Sequence, residues 1–144
     1  MNARIFDMPL THLHGQTLAD VTVDVDTREW VFTFSGQRVL HVAAPWRLLS
    51  DGRILVGSED DGHQFGGQAP VDARERVMRT VEERQVSEAS VTRFGDLDLR
   101  FDSGSTLQVF NGSSGYEGWQ LSGPGDRDVV AQGGGRVVDS AENT

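Results

Sequence analysis

The side chains best suited to chemistry in this chain are four histidines, a scatter of paired carboxylates and a few loop serines. His12 and His14 stand two apart, a spacing that puts both on one side of a strand and suits a transition metal. No third ligand accompanies them, so the pair reads as incidental. His63 follows Glu59-Asp60-Asp61-Gly62, but the run lacks the alternating oxygen ligands and closing Glu of a calcium loop. It reads as a solvated acidic loop. His41 falls on an outward strand position and reads as surface. No serine stands in Gly-x-Ser-x-Gly. Neither Gly66-Gly67 nor Gly133–Gly135 opens a helix after a strand, as a phosphate cradle would. The pairs Asp24/Asp26 and Asp96/Asp98 alternate on strand faces turned from the core, where solvation accounts for them. The sequence thus carries no catalytic signature and leads us to expect no metal and no cofactor. A pocket in which carboxylates and a histidine converge would reopen the question of an enzyme.

Composition narrows the partners. The 144 residues suit one domain. Acidic residues number 22 against 13 basic ones, a formal net charge of −9. Clustered phosphate contacts need the opposite balance, so neither nucleic acid nor an anionic membrane surface is an expected partner. A cationic protein is the complementary choice. All the basic residues are arginine, and with no cysteine, disulfides and thiolate sites are excluded. Met1 to Leu10 lacks the basic-then-apolar order of a signal peptide, and no apolar run approaches a membrane span. A cytoplasmic location is expected.

The elements that must position any site are mostly strands. Leu10, Leu13 and Leu18 can tuck against a core. Val21, Val23 and Val25 alternate with polar residues at the period of a half-buried strand. After a turn at Thr27 to Glu29, Trp30, Phe32 and Phe34 share a face. Ser35-Gly36-Gln37 turns again, and Leu40 and Val42 follow, which makes a three-strand antiparallel meander. Past Pro45 come Trp46 and Leu48, a turn, and a short strand at Arg53 to Val56. Gly57 to Pro70 reads as an exposed loop. One connecting helix is expected over about residues 72–84, capped by Asp72 with Glu75 three residues on. Its apolar stripe is Val77, Met78 and Val81.

The pattern then recurs. Trp30 to Val42 superposes without a gap on Leu97 to Val109, and Trp46-Arg47-Leu48 matches Trp119-Gln120-Leu121. The expectation is a single mostly-β (α+β) domain over residues 1–144 with an internal repeat, about 16–57 and 85–132, and a flexible tail from 133 to 144. Each copy has one apolar face it cannot bury alone. The two should form packed sheets, or one curled sheet, with the helix closing an open side. Exposed edge strands leave a homodimer open.

The segment Tyr116-Glu117-Gly118-Trp119-Gln120-Leu121-Ser122-Gly123-Pro124, after a Gly-containing hairpin, resembles that of small bacterial proteins of unknown function. The resemblance spans most of residues 15–135 and implies no activity. Some small acidic proteins of this general type are immunity proteins that block a toxin domain. By that analogy the first expectation is a non-catalytic acidic binding protein that neutralises a cationic toxin domain. Its candidate partner-binding residues are Glu59, Asp60, Asp61, Tyr116 and Glu117. The alternative is a small-ligand binder with a cavity between the repeats. Trp119, matched by Trp46, reads as packing; Tyr116 could serve either core or interface.

Overall fold

Two six-stranded antiparallel sheets and one helix organise the computed structural model, which describes residues 8–124 and 128–140. In chain order the strands are β1 (Met8–Pro9), β2 (Leu18–Val23), β3 (Trp30–Phe34), β4 (Val39–Val42), β5 (Trp46–Ser50) and β6 (Arg53–Gly57). The helix α1 (Ala73–Val81) follows, then β7 (Val86–Val91), β8 (Leu97–Phe101), β9 (Thr106–Val109), β10 (Trp119–Ser122), β11 (Val129–Ala131) and β12 (Val137–Asp139).

The second meander repeats the pairing of the first. Trp30 pairs with Val42 and Phe32 with Leu40; Leu97 pairs with Val109 and Leu99 with Leu107. The register shifts between Leu18 and Asp20 in β2, and between Val86 and Glu88 in β7. Turn geometry matches as well. Gln37 and Gly104 hold the same hairpin position with φ of 64° and 92°, and Arg28 and Gly95 share another with 62° and 97°. That left-handed conformation costs a side chain about 1 kcal/mol and suits glycine. The starts of β2 and β7 touch in an antiparallel bridge between Thr17 and Gln85.

The hairpins that follow the meanders change places. The strand order is β2-β3-β4-β10-β11-β12 in one sheet and β6-β5-β9-β8-β7-β1 in the other. Hairpin β5–β6 therefore completes the second meander's sheet, and hairpin β10–β11 completes the first's. The link between β4 and β5 is only Ala43-Ala44-Pro45. Proline biases the residue before it to extended backbone and has no N–H to offer a ladder. The chain runs on to the opposite sheet instead of turning back. Trp46 then pairs with Val109, and Trp119 with Val42.

The inward faces meet in one core. Trp30, Phe32, Phe34, Trp46, Leu97, Leu99, Phe101 and Trp119 are all buried. Trp46 meets Trp30 and Phe32 edge to face, with centroids 5.0 and 5.4 Å apart, a geometry that adds about 0.5–1.5 kcal/mol per pair to area burial. Leu10, Leu13 and Leu18 join this core as expected.

The helix packs on β2 and β6, the edge strands of different sheets, and so closes one open side. It is shorter than the 72–84 expected. Asp72 does cap it, accepting from the Glu75 N–H at 3.1 Å. But Glu82 is extended and Glu83 left-handed (φ 62°), so it ends at Val81. Its buried stripe is Ala73, Val77 and Val81, with Met78 partly covered.

Three expectations are corrected. His12 lies in a 3-10 turn (Thr11–Leu13), not on a strand, so the strand geometry that would align it with His14 is absent. The stretch after Gly133, expected to be a flexible tail, forms a turn and then β12, whose valines pair with β11. Residues 141–144 lie outside the described residues, as do the first seven residues of the signal-peptide expectation and Gly125, which follows Pro124 of the resembling segment. The loop at Gly57 to Pro70 opens with a 3-10 turn, Ser58–Asp60, that buries Ser58.

Candidate acidic docking face

Because the hairpins change sheets, Ala43-Ala44-Pro45 and the residues before β10 run side by side. The Gly118 carbonyl accepts from the N–H of both Ala43 (2.9 Å) and Ala44 (3.0 Å). Two grooves flank this crossing and share Ala43 as a wall.

The first groove, about 190 Å³, is lined by Glu29, His41, Glu117, Trp119, Gln120 and Ser122 among others. It lies on the outward face, where His41 of β4 stands opposite Gln120 of β10. His41 Nδ1 donates to Glu29 Oε1 at 3.2 Å. This is the convergence of carboxylates and histidine that would suggest an enzyme. The two side chains are 43% and 44% exposed, however. Water screens such a pair, so the groove presents charge and does not isolate a reacting group.

The second groove, about 440 Å³, is lined by Arg28, Trp30, Ala43, Ala44, Pro45, Ser58, Glu59, Asp61 and His63. Its walls are the β2–β3 loop, the crossing and the turn after β6. Ser58 Oγ anchors that turn by accepting from the Trp46 N–H at 3.1 Å. Asp61 Oδ1 accepts from the Ala73 N–H at the start of α1 (2.9 Å), and Asp61 Oδ2 stands 4.0 Å from Arg28 Nη1. His63 stacks near Phe65, centroids 6.2 Å apart.

The five residues singled out from sequence divide accordingly. Glu59, Asp61 and Glu117 line the two adjoining grooves. Asp60 is spent on its own turn, accepting from the Gly57 N–H at 2.8 Å. Tyr116 is 82% exposed, on a loop held by Ser113 Oγ, which accepts from the Gly115 and Tyr116 N–H groups. Trp119, in contrast, is core. Glu29, Arg28, His41, Ala44 and His63 escaped sequence reasoning as site residues. The pairing of β4 with β10 joins segments 77 to 83 residues apart. No local signal reports it, though the proline before a repeated Trp-x-Leu hinted at a crossing.

Among the described residues, no three His, Asp or Glu side chains converge as metal ligands, and no helix is long and apolar enough to cross a membrane. Phe32, Phe34, Trp46, Phe101 and Trp119 are buried in the core that the two sheets share.

Fold and site define a class: a two-sheet β protein with exchanged hairpins and an acidic, doubly grooved crossing. The chain belongs to the DUF6188 family, a family of unknown function, which matches residues 9–140. No curated protein and no solved structure matches it.

Proposed function

We propose that this is a non-catalytic binding protein whose acidic crossing docks a cationic protein, and that the partner is a toxin domain it neutralises. The observation that carries this reading is the gathering of Glu29, Glu117, Glu59 and Asp61 from three separate segments around Ala43. They face one guanidinium, Arg28, and two imidazoles. A surface so biased raises the encounter rate of a basic partner and disfavours acidic ones. The chain's overall charge of −9 points the same way.

The test is calorimetric titration with the basic product of the neighbouring gene. A 1:1 complex should form and weaken steeply with salt, since charge at an interface rim acts mainly through screened attraction. The double variant Glu59→Lys/Glu117→Lys should raise Kd tenfold or more, while Glu88→Lys, on the other sheet's outer face, should leave it unchanged. A salt-independent complex, or one indifferent to the double reversal, would refute the reading.

A further inference from the structure

The second groove has a counterpart at the other end of the molecule, and there a side chain fills it. Counting from the matched meanders, Ala44 corresponds to Asn111, Arg28 to Gly95, Pro45 to Gly118 and Glu59 to Gln132. The hydrogen bonds agree with this correspondence: the Ala43 N–H reaches the Gly118 carbonyl, and the Phe110 N–H reaches the Pro45 carbonyl. Asn111 Nδ2 donates to the carbonyls of Phe94 (2.9 Å) and Gln132 (3.1 Å), and its side chain lies against Gly95 and Gly118. It plugs the space that its end of the fold would otherwise leave open. At the first end the same position is Ala44, a bare methyl, and the groove of about 440 Å³ remains.

A second asymmetry lies in the core behind the groove, where Trp46 packs against Trp30. Trp119 Nε1 donates to the Gly95 carbonyl at 2.7 Å. The corresponding indole, Trp46 Nε1, is buried without a hydrogen-bond partner, in a residue only 2% exposed. The loop opposite Trp119 has five residues between its strands and the one opposite Trp46 has six, and Trp30 replaces the smaller Leu97. The closed end fills its space and gives its indole an acceptor, while leaving Asn111 Oδ1 buried without a donor. The open end is hollow and its indole lacks an acceptor.

We propose that the groove beside Ala44 receives one arginine side chain of the protein partner, in the place Asn111 occupies at the other end. This rests on the docking reading above and names what that face recognises. Glu59 and Asp61 supply two carboxylates on one wall, which a planar guanidinium can bridge as a compact ammonium cannot. The neighbouring cation is loosely held: Arg28 is 4.0 Å from Asp61 with its side chain 51% exposed, so an incoming guanidinium can take its place. His63 is the other titratable group on the lining, at its outer rim.

The probe is Nα-acetyl-arginine amide, titrated into the whole protein and followed by two-dimensional NMR at the Ala44 amide and the Trp30 and Trp46 indoles. A saturable response is expected with the arginine compound and not with its neutral citrulline counterpart. Ala44→Asn, which fills the groove without changing charge, should weaken that response at least tenfold. Glu59→Gln, at an exposed position where folding is not at stake, should weaken it several-fold. Arg28→Asn removes the competing cation at a left-handed position asparagine tolerates, and should strengthen it several-fold. Equal responses to arginine and citrulline, or an Ala44→Asn protein that titrates like wild type, would overturn the proposal. The two readings separate with the full partner. A complex kept by Ala44→Asn and lost on Glu59→Lys/Glu117→Lys overturns the arginine groove and leaves the docking face standing.

Discussion

Trp46 and Trp119 hold corresponding positions and differ by one hydrogen bond. Replacing either with phenylalanine removes the same indole atoms from a packed core. In Trp119→Phe the buried Gly95 carbonyl also loses its donor, whereas Trp46 Nε1 has no partner to lose. An unmet buried polar group costs about 1–3 kcal/mol. Trp119→Phe should therefore destabilise by about 1–3 kcal/mol more than Trp46→Phe in urea unfolding. Equal losses would mean that the indole bond carries no net weight. Asn111→Ala should cost less, since the Phe94 and Gln132 carbonyls it releases are exposed and water can take the place of the amide. Residue types and the repeat leaned toward packing for both tryptophans but left an interface role open, and the fold buries both. Neither residue type nor repeat could give the asymmetry, because which carbonyl an indole meets depends on a loop from the other half of the chain.

Individual elements were largely legible because their signals are local. Period-two alternation in Trp30 to Phe34 and Leu97 to Phe101 reflects one buried face. The same is true of helix α1 and its cap. Asp72→Ala should lower stability by about 1 kcal/mol, measured by thermal or urea unfolding, as loss of a helix N-cap does. No change would show that the first turn is held by Asp61, which accepts from the Ala73 N–H, and not by Asp72. The helix end was less legible, because Glu82 to Arg84 are helix formers by type. Leaving the helix lets Arg84 turn back onto the Val81 carbonyl (2.9 Å) and sets up β7, a demand of the sheet that propensity does not show. The candidate site was legible only in part. Acid-rich loops mark Glu59 and Asp61, but Glu29, His41 and Ala44 look unremarkable until β4 lies beside β10.

At the scale of the whole molecule, the exchange of hairpins ties the two halves into one cooperative unit. Neither meander can complete its sheet with its own hairpin: β4 needs β10 and β9 needs β5. A repeat protein whose copies folded side by side would tolerate division between them. This one should not. Cutting the chain in the exposed loop near Gly66-Gly67 separates β1–β6 from α1 and β7–β12. Each fragment alone then carries apolar faces with no opposing sheet, and β3 or β8 would expose its aromatic and leucine side chains to water. Burying such side chains supplies about 1.5–3 kcal/mol each, too much to forgo in a fragment of this size. Each fragment should give collapsed, undispersed NMR spectra, and mixing them should restore the dispersed spectrum of the intact protein at 1:1 stoichiometry. A fragment that folds alone would show that a meander can recruit its own hairpin. The crossing at Ala43–Pro45, and the acidic face built on it, would then be a preference of the intact chain and not a necessity of the strands.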